Sequence, residues 1–587
     1  MLDASRPFVL LDDAAGGGAA RLYRDPADVI VARTPADVVP ALDALRAATA
    51  AGRHAAGYLA YEAGAPLVGP RGGHAAAPLL WFGLFDGVER IAAADVPALL
   101  PDPAGGWAGV PVPRIDRAAY DAAIARVLAY IAAGDIYQAN LTFRADVAVA
   151  GSPLALYARL RARSAAGWGG IVFTGERWLL SASPELFVAV DADGRLTARP
   201  MKGTAARGAD AAAEAAALAA DPKQRAENLM IVDLLRNDLA RVARAGSVRV
   251  PALFAVETYP TLHQMTSTVT ADLAEGRDAI DLIAAAFPCG SVTGAPKRRA
   301  MEVIAEVEAG PRGPYTGSIG HVAPDGSAAF NVAIRTIDWP AGQVRATLGL
   351  GSGIVADSVA ADEWAECKAK GAFVGDGSVG FDLIETMRFD AMEGLERLDR
   401  HMARLRAACT RFGFAVNHHD LRNELQAATF RLRDDARVRL RVSPAGAVAI
   451  EVTALPPAPD GPVKVAVVPL PVPADDLRLS TKTSDRAFYD APRIAAGTFE
   501  VAFYDAHGFL TEGSFTNLFV DGGGVLLTPP LGRGLLPGVL RAELIDSGRA
   551  VEADLTADDL VDGFLIGNAL RGLMPARLVA AAARPRL

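Results

Sequence analysis

The chain has 587 residues, 51% of them hydrophobic, which at ~100–200 residues per domain allows several packed cores. A net charge of −9, with no block of Lys or Arg, excludes the basic stripe of a nucleic-acid binder. Three widely spaced cysteines, Cys289, Cys367 and Cys409, with no C-x-x-C, exclude a disulfide framework or a structural zinc site and point to a reducing, cytoplasmic compartment.

In chain order, the opening MLDASRPFVLL has no basic run and only FVLL as an apolar stretch, so no secretory leader is expected. No apolar run approaches the ~18 residues of a membrane helix, so no membrane association is expected. The first half alternates strand-like runs (WLLSASPELFVAV, GSVRVPALFAVETY) with amphipathic helices (AENLMIVDLLRNDLARV, DEWAECKAKGAFV). The polar, glycine-rich GDGSVG at 375–380 reads as a linker between a first domain, 1–374, and a second, 381–587. After it come the strand-like FDLIETMRF and a helix, LERLDRHMARLRAACTRFG, with Gly413 as its C-cap. Further alternating runs follow, and the Pro-rich PLPVPADD is expected to divide the second half into two lobes. No internal repeat is present, which excludes a solenoid.

Four segments of the first half carry chemistry. Lys202, in Pro200-Met201-Lys202-Gly203-Thr204, is flanked by Pro and Gly and expected in a turn. Desolvation there would make it a nucleophile or base; the plain reading is a surface lysine. Glu227 shares a helix face with Met230, Ile231 and Leu234, so it needs a cation, a donor or a raised pKa. GSGIVADS (351–358) reads as a glycine-rich loop entering a helix whose Glu363, Glu366 and Lys370 share one face. Hard oxygen ligands of that kind suit Mg²⁺ held jointly with an anionic substrate, and the plain reading is a charged face paired to Lys370. CGSVTGAPKRRAMEVI (289–304) reads as a second small-residue loop entering a basic helix.

In the second half, Lys482 lies in LSTKTSDRAFYDAPR, Glu512 in LTEGSFTNLFV, and a Gly538-Val539 turn in GLLPGVLRAEL. An enzyme using pyridoxal 5′-phosphate (PLP) needs a lysine, an acid for the ring nitrogen and a donor-rich helix start for the phosphate. All three are available. A surface lysine and a strand glutamate are the plain alternative.

The strings SASPELF, RPMKGT, DPKQRAENLMIVDLLRNDLARV, CGSVTGAPKRRAM, YTGSIG, NVAIRT, GSGIVADS and EWAECKAK occur in order between about 55 and 372. Together they resemble the chorismate-utilising enzymes, component I of aminodeoxychorismate synthase and of anthranilate synthase. The resemblance implies a two-layer antiparallel β-sandwich with outer helices, holding chorismate and Mg²⁺. Aminodeoxychorismate enzymes carry a lysine where anthranilate synthases carry alanine, and here that position is Lys202. It is thereby implied as the nucleophile at C2 of chorismate, displaced in turn by ammonia entering at C4. Glu185 is implied as general acid/base, and His263 as lining the reacting ring. Glu227 and Glu366 are implied as Mg²⁺ ligands with Glu363 assisting, and Tyr315, Arg335, Gly351, Gly353 and Lys370 as holding carboxylates. No cysteine sits in a nucleophile elbow, so ammonia is expected free or from a separate glutaminase subunit.

FDLIETMRF, RHMARL, the Lys482 segment, EGSFTNLF, LLPGVLR and GNALRG, across 380–572, resemble the class IV PLP enzymes, including aminodeoxychorismate lyase. The resemblance implies a two-lobed fold, possible homodimers through this half, and Lys482 as the lysine that carries the cofactor. Glu512 is implied at the ring nitrogen. Arg404 and the Gly538–Leu540 turn, with the amides of Val539 and Leu540, are implied at the phosphate. Asn568 and Arg571 line the pocket, Arg571 as a candidate for a substrate carboxylate. The whole reads as a multidomain α+β enzyme that makes 4-aminobenzoate for folate: chorismate to 4-amino-4-deoxychorismate, then loss of pyruvate. The alternative is an anthranilate-type synthase joined to a class IV aminotransferase.

Overall fold

The computed structural model describes residues 2–69, 78–208, 210–258, 262–375 and 377–579; residue 376 of the expected linker and residues 580–587 of the expected second domain lie outside them. The chain forms two compact units. The first comprises the chain up to Leu100, Val110–Val149 and Tyr157–Gly375; the second comprises Pro101–Gly109, Ala150–Leu156 and the chain beyond Gly375. The expected first domain, 1–374, is thus interrupted twice by segments that fold with the second unit.

In the first unit, alternating apolar residues build two large sheets. One runs Gly294–Ala295, Gln138–Gly151, Arg345–Ile354, Thr336–Pro340, Arg177–Ser181, Gly169–Phe173, Phe8–Asp12, Ala19–Arg24, Glu89–Ala92. The other runs Met201–Ala206, Leu262–Asp272, Arg195–Arg199, Leu186–Val190, Ala328–Asn331, Ser318–Val322, His54–Leu59, Leu80–Phe85, Asp28–Ala32. Val9, Tyr23, Val172 and Leu179 of one sheet share a core with Tyr58, Trp81, Phe85 and Ile319 of the other. Each such large buried side chain contributes about 1.5–3 kcal/mol. The helices Pro35–Ala50, Pro222–Ala240 and Ala279–Ala286 pack their apolar stripes on the outer face of the second sheet. Asp221 starts the long Pro222–Ala240 helix by accepting from the amides of Lys223 (2.8 Å) and Gln224 (3.0 Å), and Pro222 occupies the first helical position.

The second unit has two sheets. Gly394–Leu395, Leu383–Asp390, Ala436–Val442 and Val448–Ala454 form a four-stranded antiparallel sheet covered by the helices Leu398–Phe412 and His418–Thr429. Gly413 caps the first of these in the left-handed region, at φ 70°. The larger sheet has eight strands and is mixed, with Val463–Pro469 parallel to both Glu500–Tyr504 and Gly572–Leu578. Val463–Pro469 already belongs to this larger sheet, so the lobes part within 455–462 rather than at PLPVPADD. LPPAPDGP, also rich in Pro, supplies that break. The early segment 101–109 is fixed by Trp107, 4% exposed, edge-on to Phe412 at 5.1 Å between ring centres and donating to the Gly377 carbonyl at 2.9 Å.

Candidate active sites

Lys202 lies in the strand Met201–Ala206, not in a turn. The register against Leu262–Asp272 slips between Met201 and Thr204, and Gly203 takes φ 101°. This bulge re-aims the lysine out of the ladder. Its carbonyls are pinned from outside: Asn228 donates to Lys202 O (3.2 Å) and Gln264 to Gly203 O (2.7 Å), with Ser267 holding Asn228 at 2.6 Å.

The Lys202 ammonium lies 3.2 Å from Glu227 Oε2. A Cβ at Gly353 would sit 2.9 Å from both Lys202 Nζ and Gln138 Nε2, so the bare glycine makes the room the lysine occupies. Gly351–Ile354 is the end of the strand Arg345–Ile354, paired with Gln138–Gly151, and not a loop; the helix begins later, at Ala360. From that helix Lys370 reaches back to Gly351 O (3.0 Å) and to Glu366 (2.7 Å). The field of Lys370, with Lys202 and Lys223, holds the Glu366 carboxyl below its ordinary range, against the opposing effect of burial. Glu363 is engaged elsewhere, accepting from Ser358 Oγ at 2.6 Å. The three expected metal carboxylates therefore do not converge: among the described residues no group of three or more His, Cys, Asp or Glu is placed to hold a metal ion. Glu227 and Glu366 remain as two hard donors beside the lysines, a set suited to a cation that shares its ligands with a substrate.

Glu185 is 4% exposed and accepts from Ser291 Oγ at 2.8 Å. Burial pushes its carboxyl up to about 7, opposed by that hydrogen bond and by Lys202 and Lys370. The 289–304 segment thus contributes a hydroxyl rather than a basic helix start. Lys297 is spent on Asp238 and the Ala286 carbonyl, both at 2.6 Å.

Tyr315 packs its ring against Gly349, where a Cβ would overlap it. Arg335 takes φ 49°, and no ion pair among the described residues engages its guanidinium. His263 is fully buried, 3.0 Å from Thr258 Oγ1 and 3.4 Å from Glu214. No hydrogen bond or ion pair among the described residues joins it to Lys202 or Glu185. The structure therefore gathers Lys202, Glu227, Gly353, Gly351, Lys370 and Glu366, with Glu185 in their field, and leaves His263 apart in its bonding.

Sequence reasoning missed Gln138 and Ser352. Both are 0% exposed, and the Gln138 side-chain amide has no hydrogen-bond partner among the described residues. A polar residue inside the apolar run of a central strand was the available signal.

In the second unit a cavity of about 310 Å³ is lined by Lys482, Glu512, Arg404, His401, Gly538, Val539, Asn568 and Arg571, among others. Desolvation, reinforced by Arg404, lowers the Lys482 ammonium to about 7. Burial lifts Glu512 to about 8 although it accepts from Tyr489 OH (2.5 Å) and the Leu536 amide (3.0 Å). Gly538 caps the helix Val539–Asp546, whose first amides have no partner within the helix. A Cβ at Gly538 would overlap Asn517 Oδ1.

Arg404 is already committed in part. It donates to Glu385 at 2.9 and 2.6 Å and to Pro537 O at 3.0 Å. Glu385, held by Arg404 and by His401 Nδ1 (2.6 Å), falls to about 2 despite burial. Asn568 accepts from the Arg571 amide (2.9 Å), and Arg571 has no carboxylate partner among the described residues. Glu385, His401 and Tyr489 were missed. An acid between Ile384 and Met387, inside the apolar run of FDLIETMRF, was the signal for Glu385. These groups fit PLP: a neutralisable lysine, a proton-bearing acid and a glycine-opened helix start around one cavity.

Residues 6–375 match the family described as chorismate binding enzyme, and residues 382–579 match amino-transferase class IV. The chain is 45% identical over 245 residues to an aminodeoxychorismate synthase of Streptomyces griseus, covering 41% of this chain and 34% of that protein. It is 42% identical over 253 residues to aminodeoxychorismate synthase component 1 of Escherichia coli K12, covering 43% and 55%. Anthranilate synthase component 1 of Thermus thermophilus is 41% identical over 282 residues, covering 48% and 60%. The chain thus spans roughly a third to three fifths of the length of these relatives. Among solved structures, anthranilate synthase component I from Streptococcus pneumoniae TIGR4 superposes with a TM-score of 0.53 at 25% identity, covering 61% of this chain and 92% of that one.

Proposed function

The chain belongs to the chorismate binding enzyme family, and from that premise we propose that it makes 4-aminobenzoate in two stages. The first aminates chorismate to 4-amino-4-deoxychorismate around Lys202; the second removes pyruvate around Lys482. The observation that carries the reading is the placement of Lys202: bulged out of its strand, 3.2 Å from Glu227 and in the field of Glu185.

At the first site Lys202 bonds to C2 of the substrate while the 4-hydroxyl leaves with a proton from Glu185. Ammonia then bonds at C4 and the lysine departs from C2. Arg335, Tyr315 and Lys370 hold the carboxylates. Mg²⁺ would be held by Glu227 and Glu366 with the substrate, and would supply charge neutralisation there. The three cysteines are buried and their thiols pushed up, Cys289 to about 12 and Cys409 to about 11, which makes them poor nucleophiles. This supports ammonia arriving from a separate glutaminase subunit. The free thiols also suit a cytoplasmic setting.

At the second site PLP would be held by Lys482, Glu512, the amides after Gly538 and the free N–H groups of Arg404, and would supply an electron sink. Lys482, with its ammonium lowered to about 7, can give and take a proton near neutrality. Glu512 brings the proton that a ring nitrogen accepts, and Arg571 receives a carboxylate. The domains 1–374 and 381–587, joined at 375–380, are the two catalytic parts of this reading, and pairing of two chains through the second belongs to it.

The test is product identification after feeding chorismate, ammonia and Mg²⁺, with and without PLP. 4-Aminobenzoate with PLP and 4-amino-4-deoxychorismate without it are expected. Anthranilate would replace the proposal by the synthase–aminotransferase alternative.

A further inference from the structure

The second cavity is bounded on one side by Glu512 and on another by Arg571, which come from different parts of the chain. Between them in the chain lies a turn, Ser514–Thr516, separated from Glu512 by Gly513 alone. Ser514, Phe515 and Thr516 line the cavity, and four donors of this turn converge on one carboxylate behind it. Glu500, 0% exposed, accepts from the Ser514 amide (2.8 Å), Ser514 Oγ (2.6 Å), the Phe515 amide (3.0 Å) and Thr516 Oγ1 (2.9 Å), besides its neighbour's Val501 amide (2.9 Å). A Cβ at Gly513 would lie 2.8 Å from Glu500 Oε2, so the turn closes over the carboxylate only because that position is bare.

Two carbonyls of the same turn, those of Ser514 and Phe515, are held by side chains that line the cavity. Asn568 donates its amide to Phe515 O at 3.1 Å, and Arg486 donates to Ser514 O. Asn568 Oδ1 in turn accepts from the amides of Leu570 (3.0 Å) and Arg571 (2.9 Å). An unbroken chain of hydrogen bonds therefore runs from Glu500 through the turn to Arg571. Glu500 itself is not among the residues lining the cavity.

We infer that Glu500 is a positioning residue of the second site: its carboxylate templates the Ser514–Thr516 turn and so fixes where Arg571 stands relative to Glu512. The inference rests on the proposed reading of this cavity as a PLP and substrate site. A carboxylate suits the task because it offers acceptors only, and every partner on the turn is a donor. An amide of the same shape would turn N–H groups toward N–H and O–H groups.

The test compares wild type with Glu500→Gln, Thr516→Val and Ser514→Ala in the full chain, each loaded with PLP. Two readouts are taken: the cofactor's visible band with its dissociation constant, and KM and kcat for 4-amino-4-deoxychorismate. Lys482 and the Gly538 helix start are untouched, so the band and cofactor affinity are expected to stay within about twofold. KM is expected to rise about tenfold in Thr516→Val, which loses one hydrogen bond, and kcat/KM to fall on the order of a hundredfold in Glu500→Gln. The inference is overturned if all variants keep wild-type KM with PLP bound. It is equally overturned if they lose only melting temperature or cofactor affinity while the loaded fraction turns over normally, since that is a merely structural role. Should Glu500→Gln not fold, Thr516→Val and Ser514→Ala decide, because neither buries an unpaired charge. If wild type itself shows no band that Lys482→Ala abolishes, the reading of the cavity has failed rather than the role of Glu500.

Discussion

Lys202 Nζ stands 3.2 Å from Glu227 Oε2, with each side chain four-fifths or more withdrawn from water. A largely buried lysine re-aimed by a bulge and facing a carboxylate is placed for chemistry at its own nitrogen. Lys202→Ala is therefore expected to lower amination of chorismate by on the order of 10³ or more. Release of pyruvate from supplied 4-amino-4-deoxychorismate should be unchanged. Loss of both activities in a folded variant would contradict two separate sites.

Glu185 gives the first reaction its pH dependence. Burial raises its carboxyl from the ordinary 4.5 to about 7. If it acts as the acid, amination falls as pH rises through about 7. Ser291→Ala removes the donor at 2.8 Å that favours the ionised form, so the falling limb should move alkaline by about one unit. The same shift bears on stability. Between about 4.5 and 7 the folded state holds a proton that the unfolded chain lacks, so this group's contribution weakens as pH rises through that window. A pH–rate profile of both proteins, with unfolding curves across the window, checks the pair of signs.

Lys482 behaves in the opposite sense. Its ammonium is lowered from the ordinary 10.5 to about 7, so the unfolded state binds more protons between those values and stability from this group rises with pH there. Only the free amine combines with an aldehyde. Cofactor loading should therefore slow about tenfold per unit below pH 7 and level off above it. Stopped-flow absorbance on the apoprotein measures this directly, and Lys482→Ala should show no loading at any pH.

Arg571 lines the second cavity, donates to Pro457 O at 3.2 Å, and has no carboxylate partner among the described residues. Arg571→Ala should raise KM for 4-amino-4-deoxychorismate about ten- to a hundredfold, with the cofactor band intact. Arg571→Lys, which keeps charge but not the fork, should recover only part of this. Equal KM in all three proteins would remove Arg571 from the substrate's side of the cavity.

Trp107 is early in the chain yet packs within the second unit, on Phe412. Trp107→Ala should cost that unit about 3–5 kcal/mol. The urea midpoint followed by the cofactor band should drop, while unfolding of the first unit, followed through retained amination, should change little. A shift of the first unit alone would be the contrary result.

The strings around Lys202, Glu227, Lys482 and Glu512 marked these residues as candidates, and it was the order of the motifs along the chain, not any one residue, that set them above plain surface charges. What was not legible depended on partners far along the chain. Lys202 reads as a turn residue from Pro200 and Gly203; its bulge exists only against the strand Leu262–Asp272. Glu363 shares a helix face with Glu366 and Lys370, yet the Ser358 hydroxyl, five residues back, claims it. GSGIVADS looked like an anion loop, but ten consecutive pairings with Gln138–Gly151's strand run through to Ile354. Two Pro-rich stretches lie close together in the second half, and composition alone does not say which one parts the lobes.

Because 101–109 and 150–156 fold with the second unit, the boundary between the two units is not one point in the chain. A cut after Gly375 would give a carboxy-terminal fragment without Asp102, one of three aspartates that pair with Arg478, and without the indole that packs on Phe412. The amino-terminal fragment would carry two orphaned stretches with their apolar residues bare. A fission that kept the second unit whole would have to carry those sixteen residues across with it.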